Sequence, residues 1–142
     1  MNLVDFVPSS VLPAGIEEAF RKEFRTQTKS RLLLVEDNPA VRETLTVGLT
    51  ALVDNVEFYV ASSVREVRDL CRINSVFDLV ICDHLLGDGT SKDVCEATIA
   101  RHFVIITGNV SDVKGYSNVL VLSKPVELHA LAKIVKGYLN GG

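Results

Sequence analysis

The sequence predicts an α/β fold in which helices cover both faces of a doubly wound, parallel sheet of five strands. Three observations support this prediction. Five short apolar runs alternate with capped or amphipathic segments along residues 31–140, and such alternation is typical of consecutive β-α units. Polar residues directly follow four of these runs, as they do where parallel strands end at a ligand-binding edge. The chain has 142 residues, 47% of them apolar, which is enough for one domain with a normal core.

Charge and composition exclude several classes of function. The net charge is −3 and no basic tract is present, so nothing supports nucleic-acid binding by a positive patch. No apolar run is long enough to cross a membrane, and the N-terminus lacks the charged-then-apolar layout of a signal peptide. Cys71, Cys82 and Cys95 lack metal-ligand spacing, which favours free thiols in a reducing compartment. We therefore expect a soluble, cytoplasmic domain without nucleic-acid or membrane partners.

Residues 1–30 are predicted to form an N-terminal extension. A helix is expected over residues 14–25, because Ile16, Phe20 and Phe24 recur every four residues along one face. We expect this stripe to dock on the main body. Dimerisation, or a signalling helix from a larger assembly, is the alternative.

The first strand is predicted at residues 32–35 and ends in Glu36 and Asp37. Asn38 and Pro39 form a good helix start, a side-chain cap followed by proline at the first helical position. The apolar stripe of that helix is expected to contain Val41, Leu45, Leu49 and Leu52.

The second strand, residues 56–60, mixes polar and apolar side chains and therefore suits a sheet edge. Ser63 and Glu66 have the spacing of a capping box at the start of the next helix. The third strand, residues 79–82, is wholly apolar and ends in Asp83, as a strand buried on both faces does. A helix is expected over about residues 91–100.

The fourth strand, residues 103–106, ends in Thr107, and the fifth, residues 119–122, is followed by Ser123, Lys124 and Pro125. Only 11 residues, 108–118, separate Thr107 from the fifth strand, so the fourth helix should be shortened to one or two turns. A last helix is expected from about residue 128 to residue 138, with an apolar face.

The order of the strands follows from their composition. The first, third and fourth strands are wholly apolar and should be central, whereas the mixed second strand should be an edge. An order of 2-1-3-4-5, which is flavodoxin-like, satisfies both conditions, and its switch point lies between the first and third strands. This order brings Glu36 and Asp37 next to Asp83.

Four different strands end in charged or hydroxyl side chains that could bind a metal ion or react: Glu36 and Asp37, Asp83, Thr107, and Lys124. Three crowded carboxylates repel one another, and each raises the pKa of its neighbours. A hard divalent cation relieves this repulsion, and ligands that are all oxygen favour Mg²⁺. An aspartate between a metal ion and a lysine can act as a nucleophile towards a phosphoryl group and form an acyl phosphate.

With these motifs in place, residues 31–140 resemble the receiver domain of two-component response regulators, the CheY-like family. The matching motifs are Val35-Glu36-Asp37-Asn38, Asp83 through Leu86 to Gly89, Ile106-Thr107-Gly108, and Ser123-Lys124-Pro125.

The resemblance implies that Asp83 is the phospho-acceptor of a two-component system or phosphorelay. Its donor would be a phosphohistidine on a sensor histidine kinase or a histidine phosphotransfer protein. Thr107 would be the switch hydroxyl and Lys124 its ion-pair partner, followed by a Lys124–Pro125 bond that is often cis in the family. The domain would signal through protein contacts rather than act as a separate enzyme.

The resemblance also implies Mg²⁺ as the cofactor. Its ligands would be Glu36, Asp37, Asp83 and the backbone carbonyl of Leu85.

Several positions depart from the family pattern. Val121 replaces the usual aromatic residue three positions before the lysine, Gly87 replaces a proline, and Ser91 replaces a glycine. Leu85, two residues after the acceptor, cannot orient an attacking water, so we expect it to shield the aspartyl phosphate and prolong its lifetime. The chemistry is therefore expected to be intact, with an altered output surface at residues 108–118.

Two other functions are compatible with parts of the sequence. A receiver-like binding module could work without phosphorylation, as the missing aromatic residue would allow. A phosphatase of the haloacid-dehalogenase type also uses a strand-end aspartate, but it needs a second aspartate where this chain has Leu85.

Overall fold

Five parallel strands form the central sheet of the computed structural model, which describes residues 29–113 and 118–140. Their order is β2-β1-β3-β6-β7. A separate two-stranded hairpin, β4 and β5, follows β3. The bounds are β1 Ser30–Val35, β2 Val56–Ala61, β3 Val76–Asp83, β4 Leu85–Leu86, β5 Gly89–Thr90, β6 Ile99–Thr107 and β7 Val119–Ser123. Since β4 and β5 are outside the sheet, this order is the predicted 2-1-3-4-5, and the predicted fold class is confirmed.

Within residues 29–113 and 118–140, four α-helices connect or follow the strands: α1 Pro39–Leu52, α2 Val64–Cys71, α3 Ser91–Ala97 and α4 Leu128–Asn140. Between β6 and β7, the described residues contain a 3₁₀ turn at Val110–Asp112. The segment that should carry the fourth helix is thus shortened as predicted, with residues 114–117 outside the described part. The predicted N-terminal helix at 14–25 also lies outside the described residues, so the division at residue 30 stays a prediction.

The core has two layers because alternate residues of each buried strand point to opposite faces of the sheet. Leu32, Leu34 and Ile81 belong to the layer that α1 and α4 cover, through Leu49 and Leu131. The opposite layer, beneath α2 and α3, contains Leu33, Val35, Val80, Cys82, Val64, Val67 and Val94. Because β1 and β3 are packed on both faces, the carboxyl ends of these two strands are held in place.

The helix starts follow the predicted chemistry with one difference. Asn38 accepts hydrogen bonds from the backbone N–H groups of Ala40 and Val41 at 2.9 and 3.1 Å. Ser63 accepts from the N–H of Glu66 at 3.1 Å. The carboxylate of Glu66, however, accepts from the N–H of Ser62 at 3.0 Å, so only half of the predicted capping box forms.

Two other local predictions are wrong. Helix α3 ends at Ala97 rather than near residue 100, because Ile99 already pairs with Val76 in the parallel ladder of β6 and β3. Val41, predicted for the inner stripe of α1, is 41% exposed, whereas Leu49 is fully buried. The stripe therefore begins one turn later than predicted. None of the helices in the described residues is both long and apolar enough to cross a membrane.

Candidate functional site

Three carboxylates meet at the carboxyl edge of the sheet, between its two most central strands. Glu36 and Asp37 follow β1, and Asp83 ends β3, whose Cys82 pairs with Val35. Oxygen atoms of the three carboxylates lie within 4.8 Å of one another. Glu36 and Asp83 are buried, at 5% and 8% exposure, and Asp37 is exposed. The juxtaposition predicted from the strand order is present.

The electrostatics of this cluster favour a cation. Burial raises the pKa of Glu36 from its ordinary value of 4.5 to about 7, and the negative charge of Asp83 adds to this rise. The backbone N–H of Asn38 opposes it by donating to a Glu36 oxygen at 3.4 Å. Glu36 therefore holds a proton for part of the time at neutral pH. The donor set, three carboxylates without cysteine or histidine, fits a hard ion such as Mg²⁺.

Lys124 supplies the positive charge of the site. Its Nζ lies 2.7 Å from Oδ1 of Asp83, and this charge-assisted hydrogen bond raises the pKa of Lys124. The backbone N–H of Lys124 donates to the carbonyl of Thr107 at 2.8 Å, which ties the end of β7 to the end of β6. The Lys124–Pro125 bond is cis, as the resemblance implied. Asp83 is thus flanked by the acidic pair and by a lysine.

Thr107 ends β6 one residue beyond Ile106, the register partner of Asp83. It is buried, and its hydroxyl donates to the carbonyl of Asn109 and accepts from the N–H of Asn109, both at 3.2 Å. Thr107 is therefore at the same edge as Asp83, with its hydroxyl held by the following loop.

The loop after Asp83 is closed by a pair of residues that the sequence did not connect. The backbone N–H of His84 donates to the carbonyl of Ile106 at 2.9 Å, and the N–H of Ser91 donates to the carbonyl of His84 at 2.8 Å. The side chains meet as well, since Nδ1 of His84 lies 2.8 Å from Oγ of the buried Ser91. Leu85 lies within this loop in β4, and its side chain is 65% exposed. Its carbonyl as a metal ligand stays a prediction.

Two further contacts near the site were missed from the sequence. Nη1 of Arg42 donates to the carbonyls of Glu36 and Asp37, at 2.9 and 3.4 Å, which fixes the turn that presents both acids. Its position on the first turns of α1 could have signalled this role. Asp88 accepts from the first N–H groups of α2, 2.9 Å from the nitrogen of Val64, and these bonds lower its pKa. Because 24 residues separate this pair, no local signal announces it.

Val121, which stands where the family has an aromatic residue, lies half-buried on β7 opposite Ile105. The structure therefore places a small apolar side chain at this position, on the strand next to Thr107.

Comparison with solved structures finds receiver domains of similar fold. The non-phosphorylated HemR receiver domain from Leptospira biflexa is 28% identical, covering 79% of this chain and 95% of its own, with a TM-score of 0.64. The receiver domain of the hybrid histidine kinase CckA is 25% identical, covering 78% and 99%, with a TM-score of 0.65. A CheY-like receiver domain from Methylobacillus flagellatus is 21% identical, covering 78% and 98%, with a TM-score of 0.59. No protein-family model and no curated protein matches the sequence.

Proposed function

Because this chain has the fold of CheY-like response regulator receiver domains and resembles them in sequence, we propose that it accepts a phosphoryl group on Asp83. The observation that carries this proposal is the position of Asp83. Its carboxylate lies between Glu36 and Asp37 on one side and Lys124, 2.7 Å away, on the other. A carboxylate in this setting can become an acyl phosphate, because the positive charge of Lys124 is available for a phosphoryl oxygen.

The donor is a phosphohistidine of a sensor histidine kinase or a histidine phosphotransfer protein. An oxygen of Asp83 attacks phosphorus, so a P–O bond forms as the P–N bond to the imidazole breaks. The imidazole leaves with the bonding electron pair. Lys124 then exchanges its contact with Asp83 for a phosphoryl oxygen, and Thr107 donates its hydroxyl to another oxygen in place of the carbonyl of Asn109.

Glu36, Asp37, Asp83 and the carbonyl of Leu85 would hold Mg²⁺. When bound, Mg²⁺ would offset the negative charge of the three carboxylates and of the phosphoryl oxygens. Arg42 acts at a distance from the chemistry by holding the carbonyls of Glu36 and Asp37.

The output is contact with another protein, because phosphorylation of a receiver fold is a signalling event rather than turnover of a substrate. Residues 31–140 form the receiver domain in this proposal, with residues 1–30 as an extension, in the cytoplasm. The 3₁₀ turn at Val110–Asp112 and Val121 would make its output surface different from that of receivers with a full helix and an aromatic residue.

Intact mass after incubation with Mg²⁺ and acetyl phosphate tests the proposal. We expect one added phosphoryl group in the parent and in Asp88→Asn, and none in Asp83→Asn or with EDTA. Asp88→Asn is a matched control, since it changes an aspartate five residues away in the same loop. If the parent gains no phosphoryl group and also fails to bind beryllofluoride, phosphorylation is excluded and the binding module that works without it is favoured.

The phosphatase alternative makes a separate prediction. Turnover of a phosphate ester by the parent, lost in Asp83→Asn, would support it. The exposed apolar side chain of Leu85, at the position where such enzymes need an acid, argues against it.

A further inference from the structure

An exposed apolar patch lies at the amino edge of the sheet, opposite the phosphorylation site. Val76 and Ile99 begin β3 and β6 and are register partners. They are 51% and 63% exposed, although they are large aliphatic residues. A concavity of about 720 Å³ includes both side chains and extends across the starts of β1 and β2 to Lys29 and Glu57. Isolated exposed apolar residues are ordinary, but here two of them are register partners and lie together in one concave surface, which makes this edge a candidate contact site.

We propose that this amino-edge patch, formed by Val76 and Ile99, is covered by the N-terminal extension of the same chain. The occupant is the helix predicted for residues 14–25, and its contact face is the stripe Ile16, Phe20 and Phe24. The extension's side chains would supply the apolar partners that the patch lacks among the described residues.

The connection supports this occupant because the chain enters the sheet at the patch. Lys29, the first described residue, itself lines the concavity. Four residues lie between Phe24 and Lys29, and the five residue-to-residue steps reach up to about 17 Å. The segment that links the predicted helix to Lys29 is therefore short, so the extension is held near the patch at a high effective concentration.

The dimensions agree as well. The concavity crosses four neighbouring strands, β2, β1, β3 and β6, which at the usual spacing span about 14 Å. On a helix, Ile16 and Phe24 are about 12 Å apart. One face of the predicted helix therefore matches the width of the patch.

The rim of the patch is polar, as the rim of a contact surface usually is. Asp78 accepts a hydrogen bond from the backbone N–H of Arg31 at 2.7 Å, and its other oxygen is 3.8 Å from Nε of Arg101. The charges of Asp78 and Arg101 are thus paired with each other, and Val76 and Ile99 are the apolar groups that gain from being covered.

Docking at this edge is independent of phosphorylation. The patch and Asp83 are at opposite ends of β3, whose eight residues span about 23 Å. The proposed docking can therefore be tested separately from the acceptor function of Asp83.

A mutant cycle in the full-length chain tests the contact. Ile99→Asp and Phe20→Asp should each lower the melting temperature by about 4 °C, which for a domain of this size corresponds to losing one modest apolar contact. The double variant should fall no further than the larger single effect. Val47→Asp is the matched control, because Val47 is also 63% exposed and does not line the concavity. Its effect should add to that of Phe20→Asp.

Hydrogen–deuterium exchange provides a second measurement that does not depend on melting. Phe20→Asp should speed exchange at residues 76–78 and 99–101 and leave residues 45–52 of α1 unchanged. Additive melting effects for Phe20→Asp and Ile99→Asp, with unchanged exchange at the patch, would overturn the proposal. So would a dimer of the parent that Ile99→Asp dissociates, because a second copy would then be the occupant.

Discussion

Replacing Glu36 by glutamine tests the electrostatic account of the site. Glu36 is 5% exposed and lies beside Asp83, and its pKa in the folded protein is about 7. A carboxyl whose pKa is raised by folding binds more protons in the folded state than in the unfolded state. Without divalent metal, the contribution of Glu36 to the free energy of unfolding is therefore most favourable below pH 4.5 and becomes less favourable as the pH rises towards 7. Glutamine keeps the size of the side chain and removes the charge.

The magnitude follows from the two pKa values. Each unit of pKa difference corresponds to about 1.4 kcal/mol, so a rise from 4.5 to about 7 destabilises the folded, ionised form by about 3 kcal/mol. At pH 8 we expect Glu36→Gln to raise the free energy of unfolding by roughly that amount, and at pH 5 by less than about 1 kcal/mol. The difference between the two pH values, about 2 kcal/mol, is the robust quantity, since effects of glutamine that do not depend on pH cancel.

Urea denaturation in EDTA at pH 5 and pH 8 measures this difference. Glu66→Gln is the control without pH dependence in this window. Hydrogen bonds from Ser62 lower the pKa of Glu66 below its ordinary value of 4.5, so its stabilising effect is almost fully present at both pH values and its loss should destabilise the protein about equally at pH 5 and pH 8. Adding Mg²⁺ at ten times its dissociation constant should stabilise the parent at pH 8 by about 1.4 kcal/mol. The same Mg²⁺ concentration should stabilise the Glu36→Gln variant by a smaller amount. Equal effects of Glu36→Gln at the two pH values would refute the reasoning.

Three other substitutions have defined outcomes. Lys124→Met should slow phosphorylation by acetyl phosphate at least tenfold in a mass time course, and an unchanged rate would contradict its role. The free energy of unfolding should change by less than about 1 kcal/mol, because Lys124 is half-exposed. Asp88→Ala should lower the melting temperature at pH 7 by removing the acceptor at the start of α2. This deficit should shrink in acid, because a lowered pKa gives stability that is lost as the pH falls, and a constant deficit would point to another cause. Leu85→Asn should shorten the lifetime of the aspartyl phosphate in a chase experiment, and an equal or longer lifetime would show that Leu85 does not shield it.

The sequence alone determined the architecture of this protein. Apolar runs, polar residues at their ends and local caps predicted the five strands, their order and the edge at which Glu36, Asp37 and Asp83 meet. The cap at Asn38 is also as predicted. These features depend on neighbouring residues and on the short period of strands and helices, which a single sequence displays directly.

Only the tertiary structure decided the remaining contacts. Helix α3 stops at Ala97 because Ile99 pairs with Val76, more than 20 residues earlier, and the hydrogen bond between His84 and Ser91 depends on how the loop closes. The pKa of Glu36 near 7 likewise depends on its burial and on the nearby charge of Asp83. Long-range pairing and solvent exclusion are set by the path of the whole chain, so they override local preference and leave no local pattern from which they could be predicted.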